Sequence, residues 1–190
     1  DGWAIECRIN AEDPFRNFLP STGRLVRFVP PRQTMFQART QDVLGVRVDT
    51  GVQDGGEIPM FYDSMIAKLI VHGTDRNDAI TKMREALNGF VIRGVSSNIP
   101  FQAALLAHPK FVSGDFNTGF IAEHYGKGFA AEDVPHADAN FLVALAAFVR
   151  RKSRERTTTI TGQLPGYAVN AGKEYVVVTL DGAGAHTYTP

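Results

Sequence analysis

Near its start the chain carries a segment that alternates in polarity, Ala4-Ile5-Glu6-Cys7-Arg8-Ile9-Asn10-Ala11-Glu12-Asp13-Pro14. Such alternation predicts a β-strand with its apolar side chains on one face. The opposite face then carries Glu6, Arg8 and Asn10, which predicts that the arginine is held between a carboxylate and an amide. A guanidinium held in this way offers a planar fork of donors that suits bicarbonate, a carboxylate or a ureido oxygen. On periodicity alone, an ordinary cross-strand ion pair is the simpler interpretation.

Composition describes a globular protein with no indication of a nucleic-acid or membrane partner. The chain has 190 residues, and its 20 basic residues are balanced by 20 acidic ones. The apolar run at 141–149 is too short to span a bilayer. The single cysteine excludes an internal disulfide and favours a reducing compartment. A start at Asp1, without methionine or signal peptide, predicts a piece of a longer protein.

The first part of the chain is predicted to be an α+β domain with a mainly antiparallel sheet and packed helices. After the opening strand, further strands are expected at 24–29, 46–52, 67–72 and 90–95. The clearest helix is capped by Thr74 or Asp75, and its apolar stripe includes Ile80, Met83 and Leu87. Shorter helices are expected at 98–107, ending before a proline, and at 118–124.

A second unit is predicted at 137–190, after a domain at 1–126 and a linker at 127–136. Its helix is expected from residue 138 to about residue 156, apolar at first and basic towards its end. Cations in the last turns suit the helix macrodipole, so we interpret this end as solvated rather than as a nucleic-acid site. Strands are expected at 167–170 and 174–180, and two strands alone bury little apolar surface.

Four segments, in the same order, resemble the C-terminal part of biotin carboxylase: ECRINAEDP (6–14), FLPSTGRL (18–25), GVRVDTG (45–51) and FYDSMIAKLI (61–70). Biotin carboxylase is the ATP-dependent part of the biotin-dependent acyl-CoA carboxylases. Two further segments look most like the α subunit of propionyl-CoA carboxylases: GFVIRGVSSNI (89–99) and FVSGDFNTGF (111–120). In the second unit, TGQLPG (161–166) is similar to the start of that family's β-barrel domain, which links biotin carboxylase to the biotin carrier.

The resemblance implies a fold, a reaction and a set of partners. It implies a biotin carboxylase C-terminal domain, followed by a helix and the first strands of a truncated β-barrel. The parent protein would be a ligase that forms a carbon–carbon bond. In this family, ATP and bicarbonate give carboxyphosphate, and the released carbon dioxide carboxylates N1 of biotin. A carboxyltransferase β subunit then passes the carboxyl group to an acyl-CoA, which could be propionyl-, acetyl- or 3-methylcrotonyl-CoA.

The cofactors and partners implied lie largely outside this chain. Biotin would be attached to a carrier domain, and ATP and magnesium would be bound mostly by upstream sequence. The carrier domain, the carboxyltransferase β subunit and a second biotin carboxylase would be the partners. The implied location is the cytoplasm of a bacterium or the mitochondrial matrix of a eukaryote.

The resemblance also assigns roles to three residues. Arg8 would be the catalytic and substrate-binding arginine beside bicarbonate and biotin. Asp63 would help to orient the site, although a carboxylate in a turn or at a strand end is at least as good an interpretation. Arg47 matches a position that lies at the biotin carboxylase dimer interface in the bacterial family. No metal site is predicted in this chain, because the spacing of its five histidines is not that of metal ligands. Cys7 is interpreted as a buried, unreactive thiol.

A second class of function remains compatible with the sequence. The chain could be a non-catalytic α+β module that docks a partner or mediates oligomerisation. Even in the carboxylase interpretation, the isolated chain is predicted to be inactive, since no phosphate-binding loop and no biotinylation motif occur in it.

Overall fold

The computed structural model describes residues 2–34, 45–60, 63–135, 139–162, 164, 166, 171–172, 174–181 and 184–188. The chain divides into two compact units, Asp1–Pro135 and His136–Pro190, and each is described by itself. The predicted domain boundaries stay a prediction. Phe129 and Val134, which lie in the predicted linker, pack around Phe101 in the first unit.

Among its described residues, the first unit combines nine strands with four α-helices. Its strands are β1 (Trp3–Asn10), β2 (Glu12–Asp13), β3 (Leu19–Pro20), β4 (Gly23–Arg24), β5 (Arg27–Val29), β6 (Val46–Thr50), β7 (Glu57–Ile58), β8 (Met65–Gly73) and β9 (Val91–Arg93). Its helices are α1 (Arg76–Asn88), α2 (Ile99–Ala107), α3 (Pro109–Ser113) and α4 (Phe120–Tyr125). Every strand pairing among the described residues is antiparallel, which confirms the predicted fold class.

The central sheet has the strand order β1-β8-β6 and positions the predicted arginine. In its register Cys7 of β1 lies opposite Leu69 of β8, which in turn lies opposite Val48 of β6. These side chains share the face that packs into the main hydrophobic core. Ile9 is fully buried on the same face, so the alternation predicted for β1 is confirmed and Arg8 points to the other face.

Helix α1 covers the core side of this sheet through its contacts with β8. The side chain of Asp75 caps the helix by accepting a hydrogen bond from the backbone N–H of Asp78 at 2.9 Å. The predicted stripe, including Met83 and Leu87, is buried against the core. The prediction of this helix and of its buried face is therefore confirmed.

The single strand predicted at 24–29 is instead two strands with different partners. Strand β4 pairs with β7, whereas β5 pairs with β9. Between them the buried Leu25 donates its N–H to the Gly56 carbonyl, and Val26 donates to the Arg93 carbonyl. The chain changes its pairing partner between Leu25 and Val26, and the buried residues Leu25 and Phe28 are three apart, which is not the spacing of one strand with alternating faces.

Helix α3 is a further difference from the sequence prediction, which ended α2 before Pro109 and expected no helix there. Proline lacks an N–H, but the first position of a helix does not need one. Pro109 stands at that position, and Nδ1 of His108 accepts a hydrogen bond from the N–H of Lys110 at 3.2 Å. The proline that ends one helix thus begins the next.

The second unit contains helix α5 (Ala139–Thr158) and a hairpin of β10 (Val177–Asp181) and β11 (Gly184–Tyr188). Strand β11 was not predicted, because glycine and alanine give it little strand propensity. The strand predicted at 167–170 lies outside the described residues. In the part of the chain that is described, no helix is long and apolar enough to cross a membrane.

Candidate functional site

Arg8 lies on the solvent face of β1, and 67% of its side chain is exposed. Its Nε is 3.8 Å from Oε1 of Glu6. The prediction that Asn10 holds its other side is wrong: among the described residues Oδ1 of Asn10, the atom that could accept from a guanidinium, is buried without a hydrogen-bond partner, and Nδ2 donates to Oε1 of Glu12 at 3.1 Å.

The residue directly opposite Arg8 is Lys68 of β8. An ordinary cross-strand ion pair would need an acidic residue at this position. The exposed pair with Glu6 is long and contributes little to stability. Two cations therefore face each other across β1 and β8, and Asp49 of β6 lies opposite Lys68 on its other side.

The backbone of Arg8 is held more firmly than its side chain. Asn98 donates from Nδ2 to the Arg8 carbonyl at 3.0 Å, and its Oδ1 accepts from the N–H of Asn10 at 3.0 Å. The amide of Gln102 donates to the same Arg8 carbonyl. Periodicity did not reveal either amide, although Asn98 lies within a segment that carries the family resemblance.

A cleft of about 350 Å³ opens beside Arg8, between β1 and α2. Its polar lining includes Glu6, Glu12 and Gln102, and Phe101 contributes an apolar wall. The ring of Phe18 extends this wall and meets the Phe101 ring edge to face, with centroids 4.9 Å apart. A volume of this order suits a small molecule, and the mixture of apolar walls with few polar groups is typical of such sites.

A strained turn directs Phe18 towards the cleft. Asn17 and Phe18 have φ angles of 54° and 58°, in the left-handed region that residues other than glycine seldom adopt. Strain of this kind is concentrated at functional sites. Sequence reasoning did not single out Phe18, although it opens the second segment of the family resemblance.

Glu12, which lines the cleft, connects two of the segments that carry the family resemblance. Its Oε1 accepts hydrogen bonds from Oγ of Ser64 at 2.8 Å and from the amide of Asn10. The backbone continues this connection, because Ala11 donates its N–H to the Ser64 carbonyl at 2.7 Å. The segments at 6–14 and 61–70 therefore meet beside Arg8.

Asp63 and Arg47 are not brought to the cleft with Arg8. Asp63 is exposed, and its Oδ1 accepts the N–H of Met65 at 3.1 Å, as a turn carboxylate before a strand does. Arg47 lies on β6, on the far side of β8 from Arg8, and its Nη2 is 3.0 Å from Oδ2 of Asp49. Neither residue belongs to the lining of the cleft, so their roles stay predictions.

Cys7 lines the cleft, but its environment does not support a nucleophile. Burial, and secondly the charge of Glu6, raises the pKa of the Cys7 thiol from 9.0 to about 12. The thiol is therefore protonated near neutral pH, as expected for a packed, unreactive cysteine. Within the described ranges, no group of three or more histidine, cysteine, aspartate or glutamate side chains could hold a metal ion.

Comparison with known protein families gives a match in each unit. The family described as "Biotin carboxylase C-terminal domain" matches residues 6–123, and the one described as "Propionyl-coenzyme A carboxylase BT domain" matches residues 142–189.

Curated relatives include the propionyl-CoA carboxylase alpha chain of Ruegeria pomeroyi, 45% identical over 192 residues. That match covers 96% of this chain and 28% of the relative. The mitochondrial propionyl-CoA carboxylase alpha chain of Homo sapiens is 41% identical over 148 residues, which are 77% of this chain and 19% of the relative. The chain thus spans less than a third of the length of either relative.

A solved structure with the same fold is the biotin carboxylase domain dimer of Hydrogenobacter thermophilus 2-oxoglutarate carboxylase, in complex with MgADP, ADP and bicarbonate. It is 36% identical, with a TM-score of 0.59. The similarity covers 73% of this chain and 27% of that one.

Proposed function

Because the chain belongs to the family of biotin carboxylase C-terminal domains, we propose that it forms one wall of the site at which biotin is carboxylated. The observation that carries the proposal is the position of Arg8. This arginine stands in the family's ECRINAEDP segment, at a cleft of small-molecule size and opposite a second cation. The parent protein would be the α chain of a biotin-dependent acyl-CoA carboxylase.

The proposed role of Arg8 is to bind the anionic reactants and to stabilise negative charge as it develops. Its guanidinium would donate to bicarbonate and to the ureido oxygen of biotin. A fixed donor aimed at a developing oxyanion accelerates such a step by about 10²–10³-fold. The apolar wall of Phe18 and Phe101 suits the ring system of biotin, and the donors of Arg8 suit its ureido oxygen.

The nucleotide would be bound elsewhere in the parent protein. The Hydrogenobacter structure contains MgADP and bicarbonate in a biotin carboxylase domain of which this chain matches only about a quarter. ATP and magnesium would therefore be held mainly by sequence upstream of this chain. The match to the BT domain favours propionyl-CoA over acetyl-CoA or 3-methylcrotonyl-CoA as the final acceptor.

The remaining roles rest on the family resemblance. The biotin carrier domain, the carboxyltransferase β subunit and a second biotin carboxylase are the proposed partners, with Arg47 at the interface of the dimer. Asp63, two residues before β8, is proposed to orient the site. The bacterial and mitochondrial relatives support a bacterial cytoplasm or a mitochondrial matrix as the location.

The test is the variant Arg8→Ala in the full-length protein, with biotin-dependent ATP hydrolysis as the measurement. We expect the rate to fall by about 10²-fold or more while the protein stays folded at the assay temperature. Arg8→Lys should recover only part of the rate, since lysine keeps the charge but not the fork of donors. Arg84→Ala, at an exposed arginine of α1, is the matched control. A near-normal rate in Arg8→Ala would instead support a docking module.

A further inference from the structure

Asn98 occupies the N-cap of α2 but does not cap its own helix. A side chain at this position usually accepts a hydrogen bond from the first turn, and Asn98 makes no such bond. With 8% of its surface exposed, it is buried, and its amide contacts β1 instead. Oδ1 accepts from the N–H of Asn10, Nδ2 donates to the Arg8 carbonyl, and the Asn98 N–H donates to the Asn10 carbonyl at 3.1 Å. Asn98 thus replaces a neighbouring strand along the edge of β1 that faces away from β8.

Gln102 lies one turn further along the same face of α2. Its Nε2 donates to the Arg8 carbonyl that already accepts from Asn98. A carbonyl oxygen has two lone pairs, and two donors from one helix satisfy both. The plane of the peptide bond after Arg8 is therefore held by α2, and the next residue, Ile9, is fully buried in the core.

The guanidinium of Arg8 has no comparable support of its own. Its side chain is largely exposed, and its ion pair with Glu6 is long at 3.8 Å. The direction in which the side chain leaves the strand is set by the backbone that α2 holds. A misplacement of about 1 Å at a reacting group can cost about 10²-fold in rate, even when its cause lies away from the chemistry.

We propose that Asn98 and Gln102 are positioning residues that orient Arg8 through its backbone carbonyl. The inference rests on the proposed function, since it needs Arg8 to act on bicarbonate or biotin. It connects α2 with the reaction, although neither amide needs to touch a reactant for this role. It also explains why Asn98 makes no cap for its own helix, because its side-chain amide already bonds the Arg8 carbonyl and the Asn10 N–H of β1.

The test is a double-mutant cycle between Gln102 and Arg8 in the full-length protein, read out as biotin-dependent ATP hydrolysis. Gln102→Leu removes the donor and keeps the approximate size of the side chain. We expect its kcat to fall by about 10-fold, with the KM for ATP unchanged. In the Arg8→Ala background, Gln102→Leu should leave the residual rate unchanged, because no guanidinium remains to be oriented.

A second variant and a control separate positioning from folding. Asn98→Asp keeps the acceptor for Asn10 but loses the donor to Arg8, so it should lower kcat in the same way. Gln53→Leu makes the same chemical change at an exposed glutamine and should leave the rate unchanged. If Gln102→Leu unfolds, Gln102→Glu takes its place, since glutamate keeps the size and polarity but has no N–H donor.

Two results would overturn the inference. One is a normal kcat in the folded Gln102 variant. The other is an equal fold-loss with and without Arg8, which would mean that Gln102 acts independently of the arginine. The proposed function fails by a different result, namely a normal rate in Arg8→Ala alone, so the two failures can be told apart.

Discussion

Arg8 of β1 and Lys68 of β8 lie directly opposite each other in the antiparallel register of the central sheet. Two like charges at such positions repel each other and weaken the pairing of their strands. On the other side of Lys68 the register places Asp49 of β6, which is already paired with Arg47. Glu6 and Glu12 also line the cleft beside Arg8, so cations and carboxylates alternate along this surface.

The first prediction concerns this repulsion. A double-mutant cycle with Arg8→Ala and Lys68→Thr should give an unfavourable coupling of about 0.2–1 kcal/mol in the free energy of unfolding. The coupling should shrink in 1 M salt, where the screening length is only about 3 Å. Urea unfolding of the four proteins measures it. A favourable coupling would show that the two cations share an anion or a solvent network instead of repelling each other.

The second prediction concerns the contact of α1 with the sheet. Leu87 is 1% exposed in the main core, so Leu87→Ala should lower the free energy of unfolding by about 2–5 kcal/mol. Leu19→Ala, at a half-exposed leucine of β3, is the control and should cost well under 1 kcal/mol. Denaturant unfolding of both variants checks the prediction, and a similar small cost for both would place the α1 stripe outside the core.

The third prediction concerns pH. The folded state raises the pKa of Cys7 from 9.0 to about 12, so the unfolded chain loses this proton first as the pH rises. The contribution of Cys7 to stability is therefore complete below about pH 9 and is lost between about pH 9 and pH 12. The stability difference between the wild type and Cys7→Ala should shrink across this range. A difference that stays constant from pH 8 to pH 11 would show that the thiol titrates normally in the folded state.

The fourth prediction concerns the second unit. Its hairpin of β10 and β11 is a two-stranded sheet, which is marginally stable in water. Helix α5 also exposes apolar side chains, including Phe141 and Leu145. Hydrogen exchange on the 190-residue chain should therefore show weak protection in β10 and strong protection in β8. Equal protection of the two strands, at concentrations where the chain is monomeric, would show that the second unit is stable by itself.

Local pattern was sufficient for much of the fold. The alternation around Cys7 and Ile9 predicts the buried face of β1, because a strand places successive side chains on opposite faces. The stripe of α1 predicts its packing for the same kind of reason, and Asp75 marks its start. The family resemblance supplied Arg8 as the residue of interest, which periodicity alone would have interpreted as an ordinary ion pair.

The partners of each backbone group were decided by the tertiary structure. Leu25 ends one pairing and Val26 begins another, because the strands they meet come from distant parts of the chain. Asn98 and Gln102 reach the Arg8 carbonyl across 90 and 94 residues of sequence. Short-range pattern can predict which way a side chain faces, since that follows from the local geometry of the backbone. It cannot predict which distant amide satisfies a carbonyl, because that contact exists only when α2 has packed against the edge of β1.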